Sequence, residues 1–302
     1  MSKSTKWFLI ILSVVLLVAA GFLFLFYSAI KSLDLEPRET IVSGRGDKLA
    51  VVELKGAISS SEDVVRQLKK YRDDTSIKGI LLRIDSPGGG VVASQEMYEE
   101  VKKTREAGKP VVVSMGALAA SGGYYVACGA SKLVANHGTL TGSIGVIGEF
   151  VKVRDALNKL GIEVKTIKSG KLKDAGSLTQ PMTKDAEQYF QSLMDEVHRQ
   201  FIGVVERERK LAHDKVVELA DGRVFTGEQA VRLGLVDTLG TFEDAVRIAA
   251  SLAGIEGEPS LVRERERKRL IDRLFGEAES SIRALKETIL DKPVLSYRFT
   301  DP

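Results

Sequence analysis

Residues 79–90 read GILLRIDSPGGG. The first half is almost uniformly apolar and predicts a short strand, 79–84, that is buried on both faces of a sheet. The second half places Gly88, Gly89 and Gly90 where that strand ends and a helix begins. Successive glycines let the backbone approach a ligand and present its N–H groups, as in an oxyanion hole or a phosphate cradle. A plain tight turn is the simpler alternative, and the Gly-Lys-Ser/Thr ending of a P-loop is absent.

Strand and helix patterns alternate on both sides of this stretch. The predicted strands are 49–54, 79–84, 110–114 and 161–167, and the predicted helices are 61–71, 92–106 and 184–210, the last as one helix or two. This alternation predicts an α/β fold, in which binding sites lie in loops at the strand ends.

Composition excludes several function classes. The 302 residues carry 44 basic and 41 acidic side chains, a near balance that gives no general attraction for nucleic acid. The single cysteine, Cys128, has no partner for an internal disulfide, and its small neighbours predict a buried position. His137, His198 and His213 have no metal-ligand spacing, so surface or loop positions are expected for them. Neither a metal nor an organic cofactor is implied.

Residues 7–27 contain no charged side chain. At about 1.5 Å per residue this helix would span roughly 31 Å, close to the thickness of a bilayer's hydrocarbon core. Lys3 and Lys6 precede it, so the amino terminus is expected in the cytoplasm and the rest of the chain outside. A cleaved signal peptide is the alternative, but the apolar run is long and no small-x-small cleavage site follows it before Tyr27.

The composition changes again beyond about Gly257. The charged run Arg263–Arg269 precedes apolar residues spaced by three or four from Ile271 to Ile289, which predicts an amphipathic helix with a basic start. Docking on its own domain, contact with a neighbouring subunit and binding to a membrane surface are the alternatives. The predicted organisation is a cytoplasmic segment 1–6, a transmembrane anchor 7–27, a linker 28–47, a main α/β domain 48–256 and a helical tail 257–302.

Residues 119–125, AASGGYY, follow a predicted strand and open a helix. A nucleophilic serine needs small neighbours so that a carbonyl reaches its oxygen, and a helix amino terminus stabilises the oxyanion formed. Ser121 meets both conditions. The alternative is that Ser121 only caps the helix.

A serine nucleophile needs a base, and lysine is the remaining candidate. Residues 169–174, SGKLKD, contain Lys171 and Lys173, and the residues alone do not choose between them. A lysine base near neutral pH needs its pKa lowered from about 10.4 to roughly 7 or 8, usually by burial beside hydroxyl groups. Residues 139–146, TLTGSIGV, are a candidate for that pocket.

Five ordered motifs carry a family resemblance. They are Ser86–Gly90, Ala119–Tyr125, Thr141–Val146, Lys168–Asp174, and Val224–Ala230 leading to Gly234–Asp237. Over residues 49–253 the chain resembles the signal peptide peptidase A family in its short, single-domain form. These are serine/lysine membrane proteases with the Clp protease/crotonase-like α/β fold.

The resemblance assigns roles to individual residues. It implies that Ser121 is the nucleophile and that Lys173, directly before the aspartate, is the base. It also implies that Ser143 orients the lysine amine and that the backbone N–H groups of Gly88 and Gly122 form the oxyanion hole. Lys171 departs from the neutral residue expected there. With a lysine as base, activity is expected to rise with pH.

The resemblance further implies a location and partners. The expected protein is a single-pass serine endopeptidase of the cytoplasmic membrane, with its catalytic domain on the extracytoplasmic side. Its expected substrates are remnant signal peptides and misfolded exported polypeptides. A ring-shaped homo-oligomer is expected, in which neighbouring subunits complete each site. The last residues, Leu295–Pro302, are a candidate occupant of the protein's own groove.

Three other functions compete with this interpretation. The nearest is a related membrane protease that acts on stomatin-like proteins. The Thr141–Gly145 motif disfavours this alternative. A crotonase-type acyl-CoA enzyme is suggested by the fold alone. It is disfavoured because its cofactor is cytoplasmic and would be out of reach of a domain outside the cell membrane. The third is a catalytically silent, peptide-binding membrane scaffold, disfavoured because both Ser121 and Lys173 are present.

Overall fold

The computed structural model describes residues 7, 12–13, 16–25, 38–44, 46–265 and 296–298. The larger of two compact units runs from Thr40 to Arg263 and includes residues 296–298, whereas the described residues up to Glu39 belong to the smaller unit.

The elements alternate as the sequence predicts. The helices are α1, of which residues 7, 12–13 and 16–25 are described, α2 (Glu62–Asp73), α3 (Val91–Glu106), α4 (Gly122–Cys128), α5 (Arg154–Lys159), α6 (Lys184–Arg209), α7 (His213–Leu219), α8 (Gly227–Leu233) and α9 (Phe242–Leu252). The strands are β1 (Arg38–Ser43), β2 (Lys48–Lys55), β3 (Ile77–Ser86), β4 (Gly88–Gly90), β5 (Val111–Ala120), β6 (Lys132–Ala135), β7 (Leu140–Gly142), β8 (Val224–Thr226), β9 (Thr238–Leu239), β10 (Ser260–Arg265) and β11 (Ser296–Arg298).

One nine-stranded sheet organises the larger unit. Its strand order is β1-β10-β2-β3-β5-β6-β9, with β7 beside β5 and β8 beside β7. The strands from β10 to β9 pair in parallel, and β7 is parallel to β5 but antiparallel to β8. This confirms the predicted α/β fold. Because parallel strands share a direction, the carboxyl ends of β3, β5 and β7 meet at one edge.

Both faces of the sheet are covered by helices. On β3, Ile80 and Leu82 belong to the larger hydrophobic core, which also holds Phe201 of α6. Leu81 points the other way, into a smaller core that holds Ala249 of α9. Since successive side chains of a strand alternate between faces, burial on both sides explains why these strands are uniformly apolar.

The predicted strand 161–167 is wrong. The segment is irregular, and no described strand of the chain lies beside it. Ile162, Val164 and Ile167 are exposed, the last by 89%. An apolar, β-branched run has the composition of a strand, but a strand also needs a neighbour to accept and donate its backbone hydrogen bonds.

The tail also departs from the prediction of a helix. Its first part, residues 260–265, is strand β10, which pairs with β2 because Leu261 and Val262 bury their side chains there. Residues 296–298 form strand β11. The remainder of the predicted helix, 266–295, lies outside the described residues.

The predicted anchor is described only in part. Within 7–27, residues 16–25 are helical and exposed. None of the helices that the structure describes is long and apolar enough to cross a bilayer. Since residues 8–11, 14–15 and 26–27 lie outside the description, the anchor stays a prediction.

Asp237 ties β6 to the carboxyl end of α6. Its carboxylate accepts hydrogen bonds from the Leu133 N–H (2.8 Å) and from Nη1 of Arg209 (3.1 Å), and Lys132 is 3.5 Å away. Burial raises the pKa of Asp237, but its hydrogen bond to Arg209 and the charge of Arg209 outweigh this, so the net pKa is lowered. Ionised Asp237 therefore stabilises the fold.

We predict that Asp237→Asn lowers the free energy of unfolding at pH 7 by about 1–3 kcal/mol, because it leaves the buried Arg209 without its counter-charge. A carboxylate with a depressed pKa stabilises above its unfolded pKa of about 3.9 and loses this effect as pH falls. The difference between wild type and variant should therefore shrink below about pH 4. Urea unfolding at pH 7 and pH 3.5 measures this.

The exposed pair Glu228 and Arg232 provides a control. Glu228→Gln should change the unfolding free energy by less than about 0.5 kcal/mol. Equal effects of the two substitutions would contradict the role given to Asp237.

Candidate active site

Three strand ends converge at one edge of the sheet. Ser86 of β3 lies opposite Ala119 of β5. Ala119 in turn lies opposite Thr141 of β7, and Ala120 lies opposite Gly142. The register therefore places the glycine-rich turn, the serine motif and the segment 141–143 (TGS) side by side. In the sequence, 56 residues separate Ser86 from Gly142 (142 − 86 = 56).

An irregularity in the pairing of β3 with β5 shapes this edge. The register shifts between Ile84 and Ser86, and the Asp85 side chain accepts a hydrogen bond from the Leu118 N–H (3.1 Å). A Cβ at Gly116 would lie 2.7 Å from the Asp85 carboxyl carbon, so only glycine fits there. The extra residues bend β5 as a β-bulge does, and beyond them Ala119 pairs with both β3 and β7.

Ser121 occupies the sharp turn between β5 and α4. Its φ of 52° and ψ of −116° are strained for any residue except glycine, and it is 1% exposed. Its N–H donates to the Gly142 carbonyl (2.7 Å), and its own carbonyl accepts from the Tyr125 N–H (2.8 Å). A serine on a strained strand-to-helix turn is the geometry of a nucleophile elbow.

The residues after Ser121 are small because the neighbouring backbone is close. A Cβ at Gly123 would lie 3.1 Å from the Ser86 carbonyl oxygen. Gly122 is the first residue of α4, where a backbone N–H has no acceptor within the helix. The family resemblance assigns this N–H to the oxyanion hole, and that role stays a prediction.

Gly88–Gly90 form an edge that accepts an extended chain. On one side, the Ile58 N–H donates to the Gly88 carbonyl (2.9 Å) and the Gly90 N–H donates to the Ile58 carbonyl (2.7 Å). On the other side β11 pairs antiparallel with it, Tyr297 opposite Gly89. Residues 296–298, part of the tail segment proposed to occupy the protein's own groove, therefore pair with this glycine edge.

Gly88 has a φ of 92°, which favours glycine, and its N–H donates to Ser86 Oγ (3.1 Å). The predicted oxyanion donor is thus engaged with a hydroxyl in this structure. An oxyanion would have to replace the Ser86 hydroxyl as the acceptor.

Ser143 follows β7 and is 6% exposed. Its φ is 51°, and its N–H donates to the Arg223 carbonyl (2.9 Å). The nearby Thr139 and Thr141 hydroxyls donate to backbone carbonyls, whereas no described residue hydrogen-bonds the Ser143 hydroxyl. Of the three hydroxyls predicted to line a lysine pocket, Ser143 is the one left available.

Lys173 makes no hydrogen bond with these residues through its amine. It is exposed in a turn whose Gly170 carbonyl accepts the Lys173 N–H (3.3 Å). Lys171 forms an ion pair with Asp185. Among the described residues, the Lys173 amine has no hydrogen bond or ion pair. The fold thus brings Ser121, Gly122, Gly88 and Ser143 to one edge of the sheet. Within the described part of the chain, the Lys173 amine forms no hydrogen bond with that edge.

A cavity beside Ser143 holds a residue that the sequence did not single out. Its volume is about 530 Å³, and His198 of α6 lines it. His198 lies in a helix and is partly exposed, so the loop alternative is wrong for it and the surface alternative is not. Residues 191, 194, 195 and 198 all line the cavity, and this three-to-four spacing on one predicted helix was the signal available.

Comparison with known proteins adds the family. The family model for peptidase family S49 matches residues 103–256, and that for Clp protease matches residues 47–137. A Synechocystis sp. protein, slr0021, is 42% identical over 244 residues, which are 80% of this chain and 87% of that protein. Protease 4 of Salmonella typhi is 35% identical over 83% of this chain and 42% of its own length.

The Enterococcus faecium relative carries the name signal peptide peptidase SppA, and it is 40% identical over 61% of this chain and 54% of that protein. The chain thus spans most of the Synechocystis protein but about half or less of the other two.

We predict that Gly142→Ala lowers the free energy of unfolding by about 1–3 kcal/mol, because Gly142 has a φ of 79° and a Cβ there would lie 2.6 Å from the Phe225 ring. Gly138→Ala is the matched control, since a Cβ at Gly138 meets open space and should change stability little. Urea unfolding compares the two. Equal midpoints for the two variants would show that the turn holding Ser121 tolerates a side chain.

Proposed function

The chain belongs to peptidase family S49, and on that premise we propose that it is a membrane-anchored serine endopeptidase with a Ser121/Lys173 dyad. The observation that carries the proposal is the strained turn of Ser121 beside the glycine edge Gly88–Gly90. A hydroxyl held on such a turn, next to an edge that binds an extended chain, can meet the carbonyl of a bound peptide.

In the proposed reaction, the uncharged Lys173 amine takes the proton of Ser121 as Oγ attacks the peptide carbonyl carbon. The N–H groups of Gly122 and Gly88 bind the oxyanion of the tetrahedral intermediate. The lysine then passes its proton to the leaving amine, and an ester forms on Ser121. Water, deprotonated by the same lysine, hydrolyses the ester and regenerates the free serine. Ser143 is proposed to orient the amine.

We assign the lysine of each site to a neighbouring subunit of a ring-shaped homo-oligomer. Lys173 is exposed, and the segment around it carries apolar side chains that its own chain leaves uncovered. Leu160 is 73% exposed and Ile167 is 89% exposed. Exposed apolar surface of this extent is typical of a protein interface. Docking of this segment on the next subunit would bury the apolar residues and bring Lys173 to Ser143.

Remnant signal peptides and misfolded exported polypeptides are the substrates we propose. Strand β11 indicates how such a substrate would lie: extended, antiparallel to Gly88–Gly90, and held by its backbone. A proposed anchor over residues 7–27 would keep the catalytic domain at the outer face of the cytoplasmic membrane, where cleaved signal peptides remain.

We predict that Ser121→Ala and Lys173→Ala each lower kcat/KM of the detergent-solubilised full chain by at least about 1,000-fold on an apolar signal-like peptide. Co-expressing the two variants with different tags should restore activity, because one subunit supplies serine and its neighbour supplies lysine. Random mixing in a ring leaves about a quarter of the sites complete.

Lys171→Ala is the matched control and should retain activity, since Lys171 is paired with Asp185. Circular dichroism checks that each variant is folded. Full activity of Lys173→Ala would refute the dyad. Loss of activity in both variants without recovery on mixing would place the lysine in the same subunit as the serine.

We further predict that the tail inhibits the enzyme. Deleting residues 293–302 should raise kcat/KM by about three- to tenfold, because a tethered strand competes with substrate for one edge at a high effective concentration. A synthetic peptide of residues 293–302 should inhibit the truncated enzyme, and a scrambled peptide should not. Unchanged rates after truncation would refute an inhibitory tail.

A further inference from the structure

Lys173 lies in a run of short turns between α5 and α6. Residues 160–183 contain neither a helix nor a strand. The Lys173 N–H donates to the Gly170 carbonyl (3.3 Å), and the Ala175 N–H donates to the Leu172 carbonyl (3.0 Å). Each of these bonds closes a single turn. Because no regular element carries Lys173, its position depends on these turns and on the side chains that hold them together.

The Lys168 side chain contacts the chain on both sides of Lys173. Its Nζ donates to the Lys171 carbonyl (3.0 Å), two residues before Lys173. The same Nζ forms an ion pair with the carboxylate of Asp174, the residue directly after Lys173. One ammonium group therefore ties together the two flanks of the turn that presents Lys173.

The second contact also compensates the charge next to Lys173. The hydrogen bond from Lys168 lowers the pKa of Asp174, so this carboxyl group is ionised near neutral pH. A carboxylate beside an amine favours the protonated amine, which cannot accept a proton from serine. The positive charge of Lys168 opposes this influence of Asp174.

The three lysines of residues 168–173 differ in what their amines contact. Lys168 pairs with Asp174, and Lys171 pairs with Asp185 of α6. Within the described residues the Lys173 amine has neither an ion pair nor a hydrogen bond. The amine of Lys173 is thus the one left for chemistry, whereas that of Lys168 is occupied in holding the turn.

We propose that Lys168 is a positioning residue for the base: it holds the turn that presents Lys173 and compensates the charge of Asp174. Catalytic groups need neighbours that fix their geometry, and Lys168 supplies both a geometric and an electrostatic contribution. This assignment rests on the proposed function, since it concerns the base of the Ser121/Lys173 dyad.

Other charged groups surround the base in the proposed assembly. On its own chain, Asp185 of α6 is already paired with Lys171. The cavity beside Ser143, which would receive the base, adds two carboxylates and an imidazole: Asp195, Asp221 and His198. The substitutions below leave all of these groups in place, so their influence cancels when variants are compared.

The pH–rate profile of the detergent-solubilised full chain tests the assignment, at low ionic strength so that salt does not screen the charges. Lys168→Ala should lower kcat by about 10- to 100-fold with little change in KM, because a shift of about 1 Å in a catalytic group slows the reaction by up to about 100-fold. With Asp174 unpaired, the rate should also rise at a pH about 0.5–1 higher than in wild type. Lys168→Arg keeps the charge and the donors, and should restore both kcat and the midpoint.

The double variant Lys168→Ala/Asp174→Asn separates the two contributions. Without the carboxylate, the midpoint should return to the wild-type pH, whereas kcat should stay low because the turn is still not held. Lys152→Ala is the matched control: Lys152 Nζ donates to the Ser177 carbonyl (2.7 Å) of the same segment and forms no ion pair among the described residues. It should leave the midpoint unchanged. Exposed ion pairs add little stability, so all variants should unfold at the wild-type urea concentration.

The outcomes separate this assignment from the proposed function. If wild type is inactive, or if Lys173→Ala is as active as wild type, the proposed function fails and the role of Lys168 fails with it. If Lys173 is essential but Lys168→Ala keeps the wild-type kcat, the role of Lys168 is refuted and the dyad stands. Loss of kcat with an unchanged midpoint would also refute it, since a residue with a merely structural role gives that result.

Discussion

The hydrogen bond from the Ser121 N–H to the Gly142 carbonyl is the constraint on which the candidate site depends. It holds Ser121 at a φ of 52°, a conformation that costs of order 1–3 kcal/mol and persists only where the surroundings impose it. Here they include the bulge at Asp85, which aims β5 at β7, and the first turn of α4, which begins at Gly122. The same bond sets the distance between Ser121 and the loop that carries Ser143. The proposed nucleophile, the proposed oxyanion donor Gly122 and the loop that carries Ser143 are therefore positioned by the same bond.

The sequence predicted those features that depend on local pattern. Strands such as 79–84 are buried on both faces, so their apolar runs are unambiguous, and the α/β fold followed from their alternation with helices. It also located Ser121 at a strand-to-helix junction. Backbone geometry was not predictable: the positive φ of Ser121 follows from Gly142, which only the sheet register brings beside it. The cavity residue His198 was missed because the spacing of residues 191, 194, 195 and 198 shows that they share one helix face but not that this face lines a cavity.

The failed prediction at 161–167 and the exposed Lys173 concern the same stretch of the chain. Several apolar side chains of this stretch are largely exposed, Leu160 by 73% and Ile167 by 89%. An apolar sequence pattern predicts that a segment is buried, but it does not show whether the same subunit or a neighbouring one buries it. A run of β-branched residues that is exposed in one subunit is thus compatible with burial in an assembly, and the proposed sharing of the dyad between subunits accounts for both observations with a single contact.

The edge Gly88–Gly90 limits what the site can do at one time. Ile58 already satisfies one side of this short strand, so only the other side is open, and β11 lies there. A strand edge pairs with one extended segment, and hence the tail and a substrate that binds this edge as proposed would exclude each other. In the state described, the Gly88 N–H donates to Ser86 Oγ, which keeps a buried donor satisfied while no oxyanion is present. We infer that replacing the tail by substrate and releasing the Gly88 N–H from Ser86 both precede chemistry, so that a chain with its tail bound is not poised to react.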